Sequence, residues 1–202
     1  ETVRQYGLEK LTESGEAESL RIRHRDYFTA AATHLAQWSS DGGTSLIAWA
    51  EVEIDNLRAA HAWSCETADF GPALRLMSAL QQLWLTGGRL REGVAGFAAI
   101  FEDERYRDGN VEPAVWVRAV ADYGLISVWF SVPFSFHRAG HALTTARRLE
   151  DRLLVAECLT TCGMLAFDQA ELAEPFFVEA AELACGSNEQ PQLYRVRAYQ
   201  AF

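Results

Sequence analysis

The sequence predicts an all-α fold built from antiparallel helical hairpins, and three observations predict it. Apolar residues recur every three or four positions through most of the chain. Pro supplies only 5 of 202 residues, while the helix formers Ala, Leu, Glu and Arg are plentiful. Short breakers rich in Gly, Ser and Pro separate the periodic stretches at intervals that suit helix pairs. With 49% apolar residues, a chain of this length buries a core without staples.

Taken in order, Val3, Tyr6 and Leu11 recur at helical spacing as far as Ser14-Gly15. A longer amphipathic helix is expected from about Glu16 to Trp38, with Leu20, Tyr27, Phe28, Ala31 and Leu35 on its stripe. Ser39-Ser40-Asp41-Gly42-Gly43 reads as a loop, and Thr44 or Ser45 can cap the next helix. That helix carries Leu46, Trp49, Val52, Leu57, Ala60 and Trp63 and is expected to end near Thr67. Residues 1–67 thus form a helical connector.

Residues 68–202 read as pairs. Pro72 suits a helix start, Ala73 to Leu85 is strongly apolar, Gly87-Gly88 turns the chain, and Leu90 to Phe101 returns it. The units fall at about 69–105, 112–150 and 151–186, with a partial fourth at 190–202. Gly124 and Gly163 sit mid-way through successive first helices, 39 residues apart. Gly93-Phe97-Ile100 and Ala139-Leu143-Ala146 mark the partner helices with a spacing of four then three, and Pro175 is read as the counterpart in the third pair. Small residues are expected where helix axes cross closely. One hairpin cannot bury both faces, so the pairs should stack as a tetratricopeptide-like right-handed superhelix.

The net charge of −10 and a pI near 5.0 disfavour nucleic-acid binding by this segment. No apolar run approaches the roughly 20 residues that span a bilayer, so no membrane partner is expected. Four irregularly spaced Cys suggest reduced thiols and a cytoplasmic setting. The chain opens and closes inside helical patterns without an initiator Met, which suggests a piece of a longer protein.

Two segments carry a more specific signal. ETVRQYGLEKLTESGEAESLRIRHRDYF spans residues 1–28, and EVEIDNLRAAHAWSCETADF opens residues 51–97. They resemble the region after the ATPase module in bacterial LuxR-type and related regulators of the STAND ATPase class. The second motif stands here as Glu53, Asp55, Asn56, Leu57, Arg58, Ala59, Ala60 and Trp63. The resemblance covers about the first half of the chain; beyond residue 105 only the repeat character remains. It implies a non-catalytic sensor and protein-interaction arm, partnered by the protein's own ATPase module and by an effector ligand or protein. ATP, Mg²⁺ and DNA would be bound elsewhere: the chain has no GxxxxGK[ST] phosphate cradle and no basic recognition helix, so no cofactor is expected on it. A self-contained peptide-binding scaffold or co-chaperone is the alternative, and self-association is compatible with either.

Candidate chemistry is sparse. His137, His141, Cys158 and Cys162 form two i,i+4 pairs with zinc-like donors, but the repeat register separates their faces, so core thiols and surface imidazoles are expected. His61 and Cys65 could pair on one helix, without a third member or oxyanion feature to make a nucleophile. Trp38, Trp49, Trp63, Trp84, Trp116 and Trp129 fall on apolar stripes and read as core. Arg21, Arg23, His24 and Arg25 read as a solvated helix face, or as a contact to the ATPase module. Asp55, Asn56 and Arg58 divide likewise, with Asn56 as a buried register-setting amide and Asp55–Arg58 as an i,i+3 pair.

The expected functional surface is a concave groove lined by the first helix of each pair. Counting from Gly124, Gly163 and the matching Gln81 gives Arg75, Ser78, Gln82 and Leu85; Arg118, Ala121, Leu125 and Val128; and Glu157, Thr160, Met164 and Phe167. This set is apolar with isolated charges, which suits an amphipathic helix or a neutral ligand.

Overall fold

A computed structural model describes residues 13–38 and 43–185, together with Tyr6, Gly7 and Lys10. Among the described residues every regular element is helical. Most of the N-terminal motif, most of the expected Ser39–Gly43 loop, the Trp38 side chain and the partial repeat at 190–202 lie outside them. The chain forms two compact units, Glu1–Leu83 and Trp84–Phe202.

The first unit contains α1 (Ala17–Trp38), α2 (Thr44–Val52), α3 (Ile54–Glu66) and α4 (Phe70–Ala79). A short α5 (Gln81–Thr86) follows, and the division between the units falls within it. α1 packs on both α3 and α4, which also pack on each other. α4, which the sequence counts with the repeats, therefore belongs to this unit. Ala32, Leu57, Ala60, Leu74 and Met77 are buried in its core.

Two helices expected to be continuous are broken. Glu53 takes φ −95 and ψ 10 between α2 and α3, and Leu80 takes φ −89 and ψ 12 between α4 and α5. The apolar period runs through both breaks, so periodicity could not locate them. One consequence corrects the sequence reading: Val52 is 80% exposed rather than on a buried stripe. α3 ends on Ala68, which adopts a left-handed φ of 55 so that the Asp69 N–H reaches the Ser64 carbonyl at 2.9 Å.

The second unit contains α6 (Leu90–Phe101), a 3-10 turn (Asp108–Asn110), α7 (Pro113–Phe130), α8 (Phe136–Arg148), α9 (Arg152–Leu165) and α10 (Ala170–Cys185). Three of its helices start on residues suited to a helix N-terminus. Pro113 occupies the first turn of α7, Ser135 Oγ accepts from the Arg138 N–H, and Asp151 accepts from the Leu153 and Leu154 N–H groups. α7 packs on α6, α8 and α9, and α9 packs on α7, α8 and α10.

The marker glycines are sites of close approach. A Cβ on Gly124 would lie 2.6 Å from Thr161 Cγ2, and one on Gly163 would lie 2.7 Å from the Phe177 ring. Gly93 stands equally tight on Trp84, at 2.7 Å. These distances are below any normal carbon contact, so even Ala is too large without a shift. The third-pair register differs from the sequence reading. Pro175 is exposed, and the buried residues at four-then-three spacing are Ala173, Phe177 and Ala180.

Candidate functional site

The polar centre of the second unit is built on α7, whose only two charged residues are Arg118 and Asp122. Four residues place them one turn apart on one face. Arg118 Nε donates to Asp122 Oδ2 at 2.9 Å, and its Nη1 approaches Glu157 Oε1 of α9 at 2.9 Å. The two carboxylate side chains are 3% and 5% exposed and the guanidinium side chain 32%. Burial opposes the arginine's charge, but Asp122 and Glu157 outweigh it and raise its pKa further above the ordinary value. The same seam is held by Thr161 Oγ1, which donates to the Ala121 carbonyl of α7 at 2.9 Å. Contacts 118 to 157, 121 to 161 and 124 to 161 show that α7 and α9 run parallel, with an offset near 39 residues.

Beside this cluster, burial raises the Cys158 thiol, with Cys162, Glu157 and Asp122 adding to the effect. Burial also pushes the Cys162 thiol up to about 12. Both are protonated and shielded at neutral pH, which is the opposite of what nucleophilic or metal-binding chemistry needs. His137 and His141 are exposed, and His141 rests against the Trp116 ring at 5.0 Å. The two donor pairs of the zinc-like set thus lie in different environments. Among the described residues no group of three or more His, Cys, Asp or Glu is arranged to hold a metal ion. His61 and Cys65 approach at 3.8 Å on α3.

The twelve groove positions divide by burial. In the first unit Ser78 is buried, Gln82 half-buried and Arg75 exposed. In the second, Ala121, Leu125, Glu157 and Thr160 are buried, whereas Leu85, Val128 and Met164 are half-buried and Phe167 is 65% exposed. The buried members present no surface to a partner; Arg118, Val128, Met164 and Phe167 do. Asp122, which completes the cluster, was missed. Its signal was present in the sequence as the lone acid four residues beyond the lone base of an otherwise uncharged helix.

In the first unit Arg25 departs from the solvated-face reading. It is 8% exposed and contacts Asp26 at 2.7 Å and Asp69 at 2.6 Å. Asp69 holds the N-cap position of α4 but makes no capping bond with its side chain, which is turned to Arg25. Arg21 stands over the Trp63 ring at 4.8 Å, and Arg23 is exposed. Asn56 is exposed rather than buried, donating to Glu53 at 2.7 Å and meeting His24 at 3.2 Å. Asp55 and Arg58 pair at 3.2 Å on the surface. The tryptophans also divide: Trp84 and Trp116 are buried, Trp49 and Trp63 half-buried, and Trp129 is 49% exposed.

Comparison with known proteins gives one consistent result. Over 189 residues, 91% of its length, the chain is 44% identical to proteins of Mycobacterium tuberculosis H37Rv, Mycobacterium tuberculosis CDC 1551 and Mycobacterium bovis. Each carries the provisional name HTH-type transcriptional regulator. The matched segment is 21% of each relative, so the chain spans about a fifth of their length. No family model matches the chain. No solved structure matches it. The chain is therefore an all-helical segment similar to part of HTH-type transcriptional regulators.

Proposed function

We propose that this chain is the non-catalytic sensing and protein-interaction arm of an HTH-type transcriptional regulator of the STAND ATPase class. The observation that carries the reading is the 44% identity to HTH-type regulators over 91% of the chain. The Glu53–Trp63 motif adds the STAND resemblance. ATP, Mg²⁺ and operator DNA are bound by other parts of such a protein, which works in the cytoplasm. The arm's partners are its own ATPase module and an effector ligand or protein.

The hairpins of the second unit stack as a tetratricopeptide-like right-handed superhelix. The parallel run of α7 and α9 and the packing of α9 on both α8 and α10 support this, because each first helix then meets its own partner and the preceding pair. On this reading Arg118, Val128, Met164 and Phe167 line the recognition surface. Its floor is fixed by buried carboxylates and its rim is apolar, which suits the apolar face of a helix.

The test is Met164→Glu in the intact regulator. Operator binding in vitro should be retained while the transcriptional response to the stimulus is lost. An unchanged response, with folding intact, would remove this surface from the function. The isolated chain should also bind neither ATP–Mg²⁺ nor operator DNA; either binding event would contradict the division of labour.

A further inference from the structure

The Arg118 cluster holds more negative than positive charge. Among the described residues it consists of one guanidinium and two carboxylates, and both carboxylates are buried. Asp122 takes the Arg118 Nε and Glu157 its Nη1, so one base serves both acids. Excess charge inside a fold is costly unless a second counter-ion reaches it. Arg147 of α8 is not that ion, because both oxygens of Glu179 hold it at 2.7 Å.

The register of the first helices names a better source. α7 begins at Pro113 and α9 at Arg152, 39 positions later. The same step leads to Pro191, a residue suited to the first position of a helix. Residues 191–202 lie outside the described residues, but the step fixes which of them corresponds to each position of α9. Cys158 of α9 feels the charges of Asp122 and Arg118 on α7. One step on, Arg197 stands for Cys158, while Thr161 and Glu157 stand for Asp122 and Arg118. Arg197 is thereby directed at Glu157. Charge complementarity points the same way. The charged residues of α10 are all acids, Glu171, Glu174, Glu179 and Glu182, whereas those of residues 191–202 are both bases, Arg195 and Arg197.

We propose that residues 191–202 of this chain dock along α9, and that Arg197 completes the buried charge cluster by pairing with Glu157. The cluster then holds two acids and two bases and ties three successive first helices together. Its remaining countercharge comes from within the chain, not from a basic residue of a partner. The inference rests on the register of α7 and α9 and on charge, not on the regulator reading.

Denaturant unfolding of the purified chain tests it, using Arg197→Met, Glu157→Gln and the double variant. In the wild-type background Arg197→Met should lower the folded-to-unfolded ratio at least about tenfold. In the Glu157→Gln background the same change should lower it less than about threefold, because its partner is gone. Arg195→Met is the control, since two positions turn a helix by about 200° and carry that side chain to the other face. A loss from Arg197→Met that Glu157→Gln does not diminish would overturn the proposal. So would equal losses from Arg195→Met and Arg197→Met. Hydrogen exchange on the wild type needs no variant: amides of residues 195–202 should exchange at least about a hundredfold more slowly than in a free peptide. Exchange at the free-peptide rate would also overturn it. Failure here leaves the regulator reading standing, since neither measurement involves DNA or effector.

Discussion

Arg25 in the first unit and Arg118 in the second each hold two carboxylates, but with opposite burial. Arg25 has a side chain 9% exposed, between Asp26 at 57% and Asp69 at 50%. Arg118 is 32% exposed, and its partners Asp122 and Glu157 are 3% and 5%. The difference decides what a substitution strands. Without Arg25 the two aspartates return to water, whereas without Arg118 two carboxylates stay inside with no countercharge among the described residues. Asp26 adjoins Arg25 on α1 and Asp69 immediately precedes α4, so that cluster joins two helices of one compact unit. The Arg118 cluster joins successive first helices, α7 and α9, and so ties one hairpin to the next.

The largest expected effect follows directly. Arg118→Ala should cost about 3–5 kcal/mol in denaturant unfolding, because it leaves buried charge unpaired. Adding Glu157→Gln should recover part of that loss. Arg25→Met should cost less, about 1–3 kcal/mol, mostly through lost hydrogen bonds to charged groups. Hydrogen exchange would assign each loss to its unit. Equal costs for the two arginines would break the comparison.

Packing gives the next pair. Gly163→Ala should destabilise by roughly 1–3 kcal/mol, because its Cβ would sit 2.7 Å from the Phe177 ring. Gly140→Ala, on α8 with nothing within 4 Å of the new atom, should stabilise by about 0.5–1 kcal/mol through helix propensity alone. A melting series of the two variants separates helix propensity from close approach.

The second unit should also be the alkali-sensitive one. Burial raises the Cys158 thiol, and pushes the Cys162 thiol from 9.0 up to about 12. Burial likewise raises the Tyr106 and Tyr123 phenols. A group whose folded pKa lies above its unfolded value keeps its proton in the native state while the unfolded chain loses it. Its contribution is complete below about pH 9 and is lost as pH rises toward 12, at up to about 1.4 kcal/mol per pH unit for each thiol. Denaturant midpoints at pH 8 and 10.5 check the sign. At pH 8 neither Cys158 nor Cys162 should react with a thiol reagent until the chain unfolds.

Much of this arrangement was legible in the sequence where a local rule sets it. Pro113, Ser135 and Asp151 mark helix starts because capping is read over three or four residues. Gly124 and Gly163 marked close contacts because only a missing Cβ permits them. What could not be read depends on residues far apart in the chain. The breaks at Glu53 and Leu80 leave the apolar period intact, so nothing in the pattern announces them. Arg25 looked solvated among its basic neighbours, since its partner Asp69 is 44 residues away. Pro175 stands exposed, and Ala173 two positions earlier carries the packing register, which the four-then-three spacing alone does not distinguish.

The central claim is that the α7–α9 surface receives the partner that the regulator senses. It is tested most directly by placing a photoreactive side chain at Met164 in the intact regulator, with exposed Thr144 on α8 as the control. Under the inducing stimulus, position 164 should form a discrete cross-link, to the effector or to another part of the regulator, that position 144 does not form. No cross-link at 164, or the same product from both positions, would contradict the account.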